Sequence, residues 1–105
     1  MKTHTANELR DYANILAPDG VTVLASGLNC GIEDLSGRRL EQAQLSAPQT
    51  SHMVLFRAGD ASTLSSDGYL QVNGQLFLVD YPKDPRQPRT GMWLEVYCHM
   101  ERTAS

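Results

Sequence analysis

Residues 68–79 read Gly68-Tyr69-Leu70-Gln71-Val72-Asn73-Gly74-Gln75-Leu76-Phe77-Leu78-Val79. An Asn-Gly pair between two apolar runs is a strong hairpin signal, because both residues tolerate the positive φ that a type I′ turn requires. The two-residue turn sets the register. Val72 opposes Gln75, Leu70 opposes Phe77 and Gly68 opposes Val79; on the other side Gln71 opposes Leu76 and Tyr69 opposes Leu78. Both faces therefore carry apolar groups, Phe77 and Val79 on one, Leu76 and Leu78 on the other. A sheet with one wet face does not need that. The second face requires cover, either from an N-terminal helix or from another subunit.

Working outward from the hairpin, more strands appear. Towards the C-terminus, Pro82 to Thr90 is a proline-rich loop carrying Lys83, Arg86 and Arg89. It reads as a solvated connection or as a protein contact surface. Met92 to Met100 is a last strand, with Leu94, Val96, Cys98 and Met100 on its core face. Trp93, Glu95, Tyr97 and His99 lie opposite, where Trp93 and Tyr97 form an interface patch or lie under a helix. Glu101 to Ser105 is a tail. Towards the N-terminus, Ala58 to Asp67 is rich in turn residues, and His52 to Arg57 is a strand with little alternation, as expected of one covered on both sides.

The segment 35–50 has neither helical nor strand period. Gly37, Pro48 and three glutamines predict a long loop, with at most a turn of helix supported by Leu40, Ala43 and Leu45. Val21 to Glu33 reads as one strand, or as two broken near Gly27, with an inward parity that switches around Ser26-Gly27, the mark of a bulge or bend. Before it, Thr5 and Glu8 match a capping box, and Leu9, Tyr12, Ala13 and Leu16 recur at helical spacing. That spacing predicts a helix over 6–16, ended by Pro18 and Asp19-Gly20. The fold expected is mainly β: one domain over 1–105, with a short N-terminal helix, a small antiparallel β-barrel over 20–101 and a long loop after the first strand.

Composition narrows the function. The chain has 105 residues, 41% hydrophobic and 20% charged, with a formal net charge of -3. That balance fits a folded domain and argues against a nucleic-acid binder, whose affinity would come from clustered Lys and Arg. No apolar run is long enough to span a membrane. Met1 to Ala6 lacks an apolar segment, so no signal peptide is expected.

Cys30 and Cys98 read as buried free thiols. A zinc site needs about four converging ligands. Cys98 and His99 are strand neighbours and point to opposite faces, so they do not share a metal. A Ser-His-Asp or Cys-His device lacks a nucleophile elbow here, and Cys98 falls on the apolar parity, where a thiol is inert. Glu33-Asp34 reads as a solvated pair at a strand end. The glycines form no phosphate-cradling pattern. Neither enzymatic activity nor a metal or cofactor is expected.

The order of elements resembles a known family. A strand ends in Gly31-Ile32-Glu33-Asp34. After a long loop comes a strand ending Leu55-Phe56-Arg57, then Asp67-Gly68-Tyr69-Leu70-x-Val72-x-Gly74-x-x-Phe77-x-Val79, and last Trp93-Leu94-Glu95-Val96-Tyr97-Cys98. From about Gly20 to Arg102 this looks like the head–tail joining proteins of tailed phages, the stopper or head-completion group that includes the lambda-like attachment proteins.

The resemblance implies a β-barrel subunit of a hexameric or dodecameric ring. Such a ring sits in the virion between the portal or adaptor proteins and the tail terminator, helping to close the DNA channel after packaging. It implies synthesis in the host bacterial cytoplasm. It also implies DNA passing nearby without sequence-specific binding, which the net negative charge favours. The loop over 36–49 then faces the channel, making Arg38, Arg39, Glu41, Gln42 and Gln44 its channel or assembly residues. Leu76 and Leu78, the basic residues Lys83, Arg86 and Arg89, and the aromatic pair Trp93 and Tyr97 are the interface candidates. The alternative is an OB- or SH3-like module binding a protein or an oligonucleotide.

Overall fold

The computed structural model describes residues 9–61, 63–65, 67–83 and 93–100. Six antiparallel strands close a barrel: β1 (Asp11–Leu16), β2 (Val23–Asp34), β3 (His52–Arg57), β4 (Tyr69–Val72), β5 (Gln75–Lys83) and β6 (Trp93–Met100). Around the barrel the order is β1-β2-β3-β6-β5-β4. A helix, α1 (Gly37–Ser46), joins β2 to β3, and a 3₁₀ turn at Ala58–Ala61 follows β3.

The β4–β5 hairpin has the register that its turn dictates, from Tyr69 opposite Leu78 to Val72 opposite Gln75. Asn73 and Gly74 take φ of 53° and 83°, the left-handed values of a type I′ turn. Phe77 and Val79 point inward, joining Ile15, Val54, Phe56, Leu70 and Val96 in a barrel interior filled by side chains.

Three irregularities shape the barrel, two in the β1–β2 ladder, between Ala13 and Ile15 and between Ile15 and Leu16, and one between β5 and β6. Between the pairs Ala13–Leu28 and Ile15–Ala25, β2 spans one residue more than β1. Gly27 takes φ 68° there, and its N–H donates to Asn14 Oδ1 at 3.1 Å. This is the parity switch expected near Ser26-Gly27. The third lies between Val79 and Tyr81, where the partners on β6 are Cys98 and Tyr97. Asp80 is the extra residue.

Two expectations are corrected. The helix expected over 6–16 is a strand where it is described, from Asp11 to Leu16; residues 1–8, with the capping box, lie outside the described residues. Ala13 and Ile15 are buried at 1% and 0% while Tyr12 is 63% exposed, which is the alternation of a strand. β1 pairs with both β2 and β4. A helix here would leave two sheet edges open, so closure of the barrel overrides the local spacing.

The long loop over 35–50 instead holds α1. Its Leu40 and Ala43 pack on the outside of the barrel with Leu35, Met53, Leu55 and Tyr97. That docking stabilises a helix whose N-cap Ser36 makes no side-chain capping bond. It also buries Glu95 and Tyr97 at 7% each. The outer row of β6 is therefore a second core under α1, not an exposed polar-aromatic surface.

Candidate functional site

The barrel has two unlike sides. In the strand order, β1 and β4 lie diametrically opposite β6 and β3. The β3–β6 side is roofed by α1, and among the described residues no helix covers the β1–β4 side.

The roof is pinned by polar contacts. Arg39 pairs with Glu33 and reaches the Tyr97 hydroxyl. Tyr97 in turn donates to Glu95 Oε1 at 2.8 Å. Burial and the Glu95 carboxylate push the Tyr97 phenol well above its ordinary range. The Tyr81 ring stacks on Tyr97 with centroids 4.9 Å apart, and its hydroxyl donates to the Ala43 carbonyl at 3.1 Å. Gln44 Nε2 donates to the Thr50 carbonyl at 3.0 Å.

Because Arg39 and Glu33 are both 40% exposed, we expect Arg39→Ala to lower global stability by only about 1 kcal/mol. The local effect should be larger. Tryptic cleavage after Arg38 is expected to accelerate several-fold as α1 lifts. An unchanged cleavage rate would show that α1 is held by its apolar contacts alone.

Two polar clusters flank the connector between α1 and β3. The Asp80 carboxylate, only 2% exposed, accepts from Thr50 Oγ1 at 2.7 Å, from Gln49 Nε2 at 2.8 Å and from His99 Nδ1 at 2.9 Å. The β5 bulge delivers it there and so ties the connector to β5 and β6.

In the other cluster Ser51 Oγ lies 2.7 Å from His52 Nδ1, and His52 Nε2 lies 2.7 Å from Asp34 Oδ1. The order Ser-His-Asp is that of a catalytic triad, but its surroundings differ. The Asp34 side chain is 88% exposed, so it does not hold an imidazole as a buried carboxylate does. The Ser51 N–H is bonded to the Cys98 carbonyl and is not available as an oxyanion donor. Nearby, a slot of about 250 Å³ is lined by Gly31, Ile32, Glu33, Met53 and Leu55, smaller than the roughly 300–1,000 Å³ of ligand pockets.

On β1 and β4 the charge is confined to Asp11, which accepts from Asn73 Nδ2 at 3.1 Å. Residues 12–17, 21–29 and 68–79 contain no Lys, Arg, Asp or Glu. Across the β1–β4 pair Asn14 Nδ2 donates to Gln71 Oε1 at 3.0 Å. Tyr12 on β1, and Val21, Val23 and Leu24 at and just before the start of the neighbouring β2, are exposed. The ladder between β2 and β3 covers only Gly31 to Asp34 on β2. From Val23 to Asn29, among the described residues, β2 therefore pairs on its β1 side alone. An apolar strand edge of this kind is a template for pairing with another chain.

The sequence-derived candidates fall into distinct places. Arg38, Glu41 and Gln42 are exposed on the outer face of α1, whereas Arg39 and Gln44 are half-buried and bonded to the barrel. The five residues thus belong to a docked helix and not to an extended loop. Leu76 and Leu78 are half-buried on the outer side of the hairpin. Tyr97 is buried, and Trp93 packs half-buried beside it, so this pair lies under a helix, although the helix is α1 and not an N-terminal one. Lys83 is the last residue of β5; Arg86 and Arg89 lie outside the described residues. Burial pushes both thiols, Cys30 and Cys98, up to about 12.

Sequence reasoning missed the exposure of Val21, Val23, Leu24 and Leu45, because an apolar run reads as core. The signal available was the uncharged stretch 21–29. In comparisons with protein-family models and with curated proteins, the chain matches none.

Proposed function

We propose that this chain is a structural assembly subunit of a phage neck, joining the portal or adaptor ring to the tail and helping to close the DNA channel after packaging. The observation that carries the reading is the exposed apolar set of Tyr12 on β1 and Val21, Val23 and Leu24 at the start of β2, beside a strand edge that is paired, among the described residues, on one side only. Such a surface takes up protein, not solvent. The order of elements supports the connector assignment through its resemblance to head–tail joining proteins. The net charge of -3 suits a part that DNA slides past. In this reading the protein works in the virion, without a cofactor and without catalysis.

The test is to mix the purified chain with DNA-filled, tail-less heads and with free tails, and to score attachment by negative-stain microscopy. Attachment that depends on the added chain is the expected result. Absence of any binding to heads or tails would overturn the assignment. So would binding to single-stranded oligonucleotide that weakens steeply with salt, the behaviour of an oligonucleotide-binding barrel.

A further inference from the structure

Ser51 is held through both ends of its backbone. Its N–H donates to the Cys98 carbonyl, and its carbonyl accepts from the Leu35 N–H, each at 3.0 Å. The hydroxyl therefore starts from a fixed point, and it lies 2.7 Å from His52 Nδ1. The ring is fixed as well. The His52 side chain is only 15% exposed, and it meets Phe77 edge-on with centroids 5.0 Å apart. Packing thus gives the imidazole the orientation that a buried carboxylate gives it in a catalytic triad.

Asp34 has a different part. An ionised carboxylate only accepts hydrogen bonds, so its contact at 2.7 Å assigns a proton to Nε2. In the neutral ring the lone pair is then on Nδ1, facing the Ser51 hydroxyl. The two nitrogens have exchanged the places they hold in a serine protease, but the hydroxyl still donates to an imidazole whose other nitrogen is bonded to a carboxylate. A hydroxyl so placed is an activated nucleophile.

We infer that Ser51 is a site of covalent acylation, taking one acyl group from an activated ester. Ser51 Oγ attacks the ester carbonyl carbon while its proton passes to His52 Nδ1. The bond from that carbon to the leaving oxygen breaks, and the leaving group departs with the electron pair as the phenolate. The acyl group stays on Oγ as an ester, and His52 returns its extra proton to water.

The surroundings also set where the chemistry stops. The Ser51 N–H is committed to Cys98 and does not stabilise an oxyanion. A missing donor of that kind costs about 10²–10³ in rate. A phenolate leaves readily enough to tolerate the loss, whereas the alkyl ester formed on Ser51 has a poor leaving group and does not. The acyl group therefore accumulates to one per chain, with no turnover. This inference stands apart from the connector reading, and neither depends on the other.

The test is to treat the purified chain with p-nitrophenyl acetate at about pH 8 and to locate the acetyl groups by peptide mass spectrometry. Amines acetylate in parallel, but as amides, which hydroxylamine leaves in place while it removes esters. Cys30 and Cys98 are both 0% exposed and do not compete. The exposed Ser26, Ser36 and Ser46 are reference hydroxyls within the same molecule. Half-buried Ser51 should carry at least about tenfold more ester than any of them, and His52→Gln should remove most of that excess. In urea the excess should vanish, because Ser51 and His52 stay neighbours in sequence while Asp34 and Phe77 are lost to them.

Ester spread over the four serines in order of exposure would overturn the site, and this comparison needs no variant. An excess at Ser51 that persists in urea, or that is unchanged in His52→Gln, would overturn the folded arrangement as its cause. Ser51→Ala should abolish the hydroxylamine-labile acetyl at this position without lowering attachment in the head-and-tail mixing assay; a hydroxylamine-labile yield per chain equal to that of the unsubstituted protein would also overturn the site.

Discussion

Phe77→Ala is expected to lower stability by about 4 kcal/mol, within the 3–5 kcal/mol seen for emptied aromatic core sites. Phe77 is 0% exposed. It stands opposite Leu70 on β4 and opposite Met100 on β6, and its ring meets the His52 imidazole edge-on at 5.0 Å between centroids. Three strands converge on it, and a barrel interior closed all round has no adjacent surface from which to refill the void. A domain of this size has only about 5–15 kcal/mol in total, so the variant should melt roughly 20 °C lower. Its immediate neighbour supplies the control. Leu78 is half-buried on the outer side of the same strand, and Leu78→Ala should cost about 1 kcal/mol. Urea unfolding of both variants checks the pair. A loss below about 1.5 kcal/mol for Phe77→Ala, or equal losses for the two, would mean that the barrel interior is not the cooperative core.

Phe77 also marks where the fold was legible in the sequence. Its inward direction follows from Asn73-Gly74 alone, since a two-residue type I′ turn sets the register and the register sets the faces. The run His52–Arg57 was legible for a similar local reason, four consecutive buried residues from Met53 to Phe56. β1 was not. Leu9, Tyr12, Ala13 and Leu16 satisfy a helical period while Ala13 and Ile15 satisfy a strand period, and the choice is made by ladders to β2 and β4 that lie far along the chain. α1 failed in the opposite direction. Its few apolar residues form a helix because Met53, Leu55 and Tyr97, all later in sequence, offer a surface for Leu40 and Ala43.

The site was less legible for the same reason. Arg39 and Gln44, expected as channel or assembly residues of a loop, bond to the barrel instead, and their partners Glu33, Tyr97 and Thr50 are fixed by tertiary packing. Asp80 was overlooked, although a carboxylate within Leu76–Tyr81 signals a special position. Only the bulge shows that it turns aside to bind Thr50, Gln49 and His99.

The two thiols make alkaline stability the second large effect. Cys30 and Cys98 are both 0% exposed. Burial, reinforced by nearby Asp11 for Cys30 and Asp80 for Cys98, raises each from an ordinary 9.0 to about 12. A raised value in the folded state means that the unfolded chain gives up its protons first. The thiol contribution is therefore fully present below pH 9 and is lost as pH rises from about 9 towards 12. In that window the unfolded state binds two protons fewer than the folded state, and the slope approaches about -2.7 kcal/mol per pH unit. Tyr97 and Tyr81, whose phenols are also raised mainly by burial, add to the loss above pH 10. Together these terms remove a typical domain stability near pH 11.

Urea unfolding measured at half-unit steps from pH 8 to 10.5 should show a plateau followed by this descent. In Cys30→Ala/Cys98→Ala the plateau should be somewhat lower, because two buried sulfurs are lost. The descent between pH 9 and 10 should nearly vanish, leaving the tyrosine part above it. Equal slopes in the two proteins would mean that the thiols ionise in place, which sulfurs buried in the same core cluster as Val54, Val79 and Val96 do not do without opening the barrel.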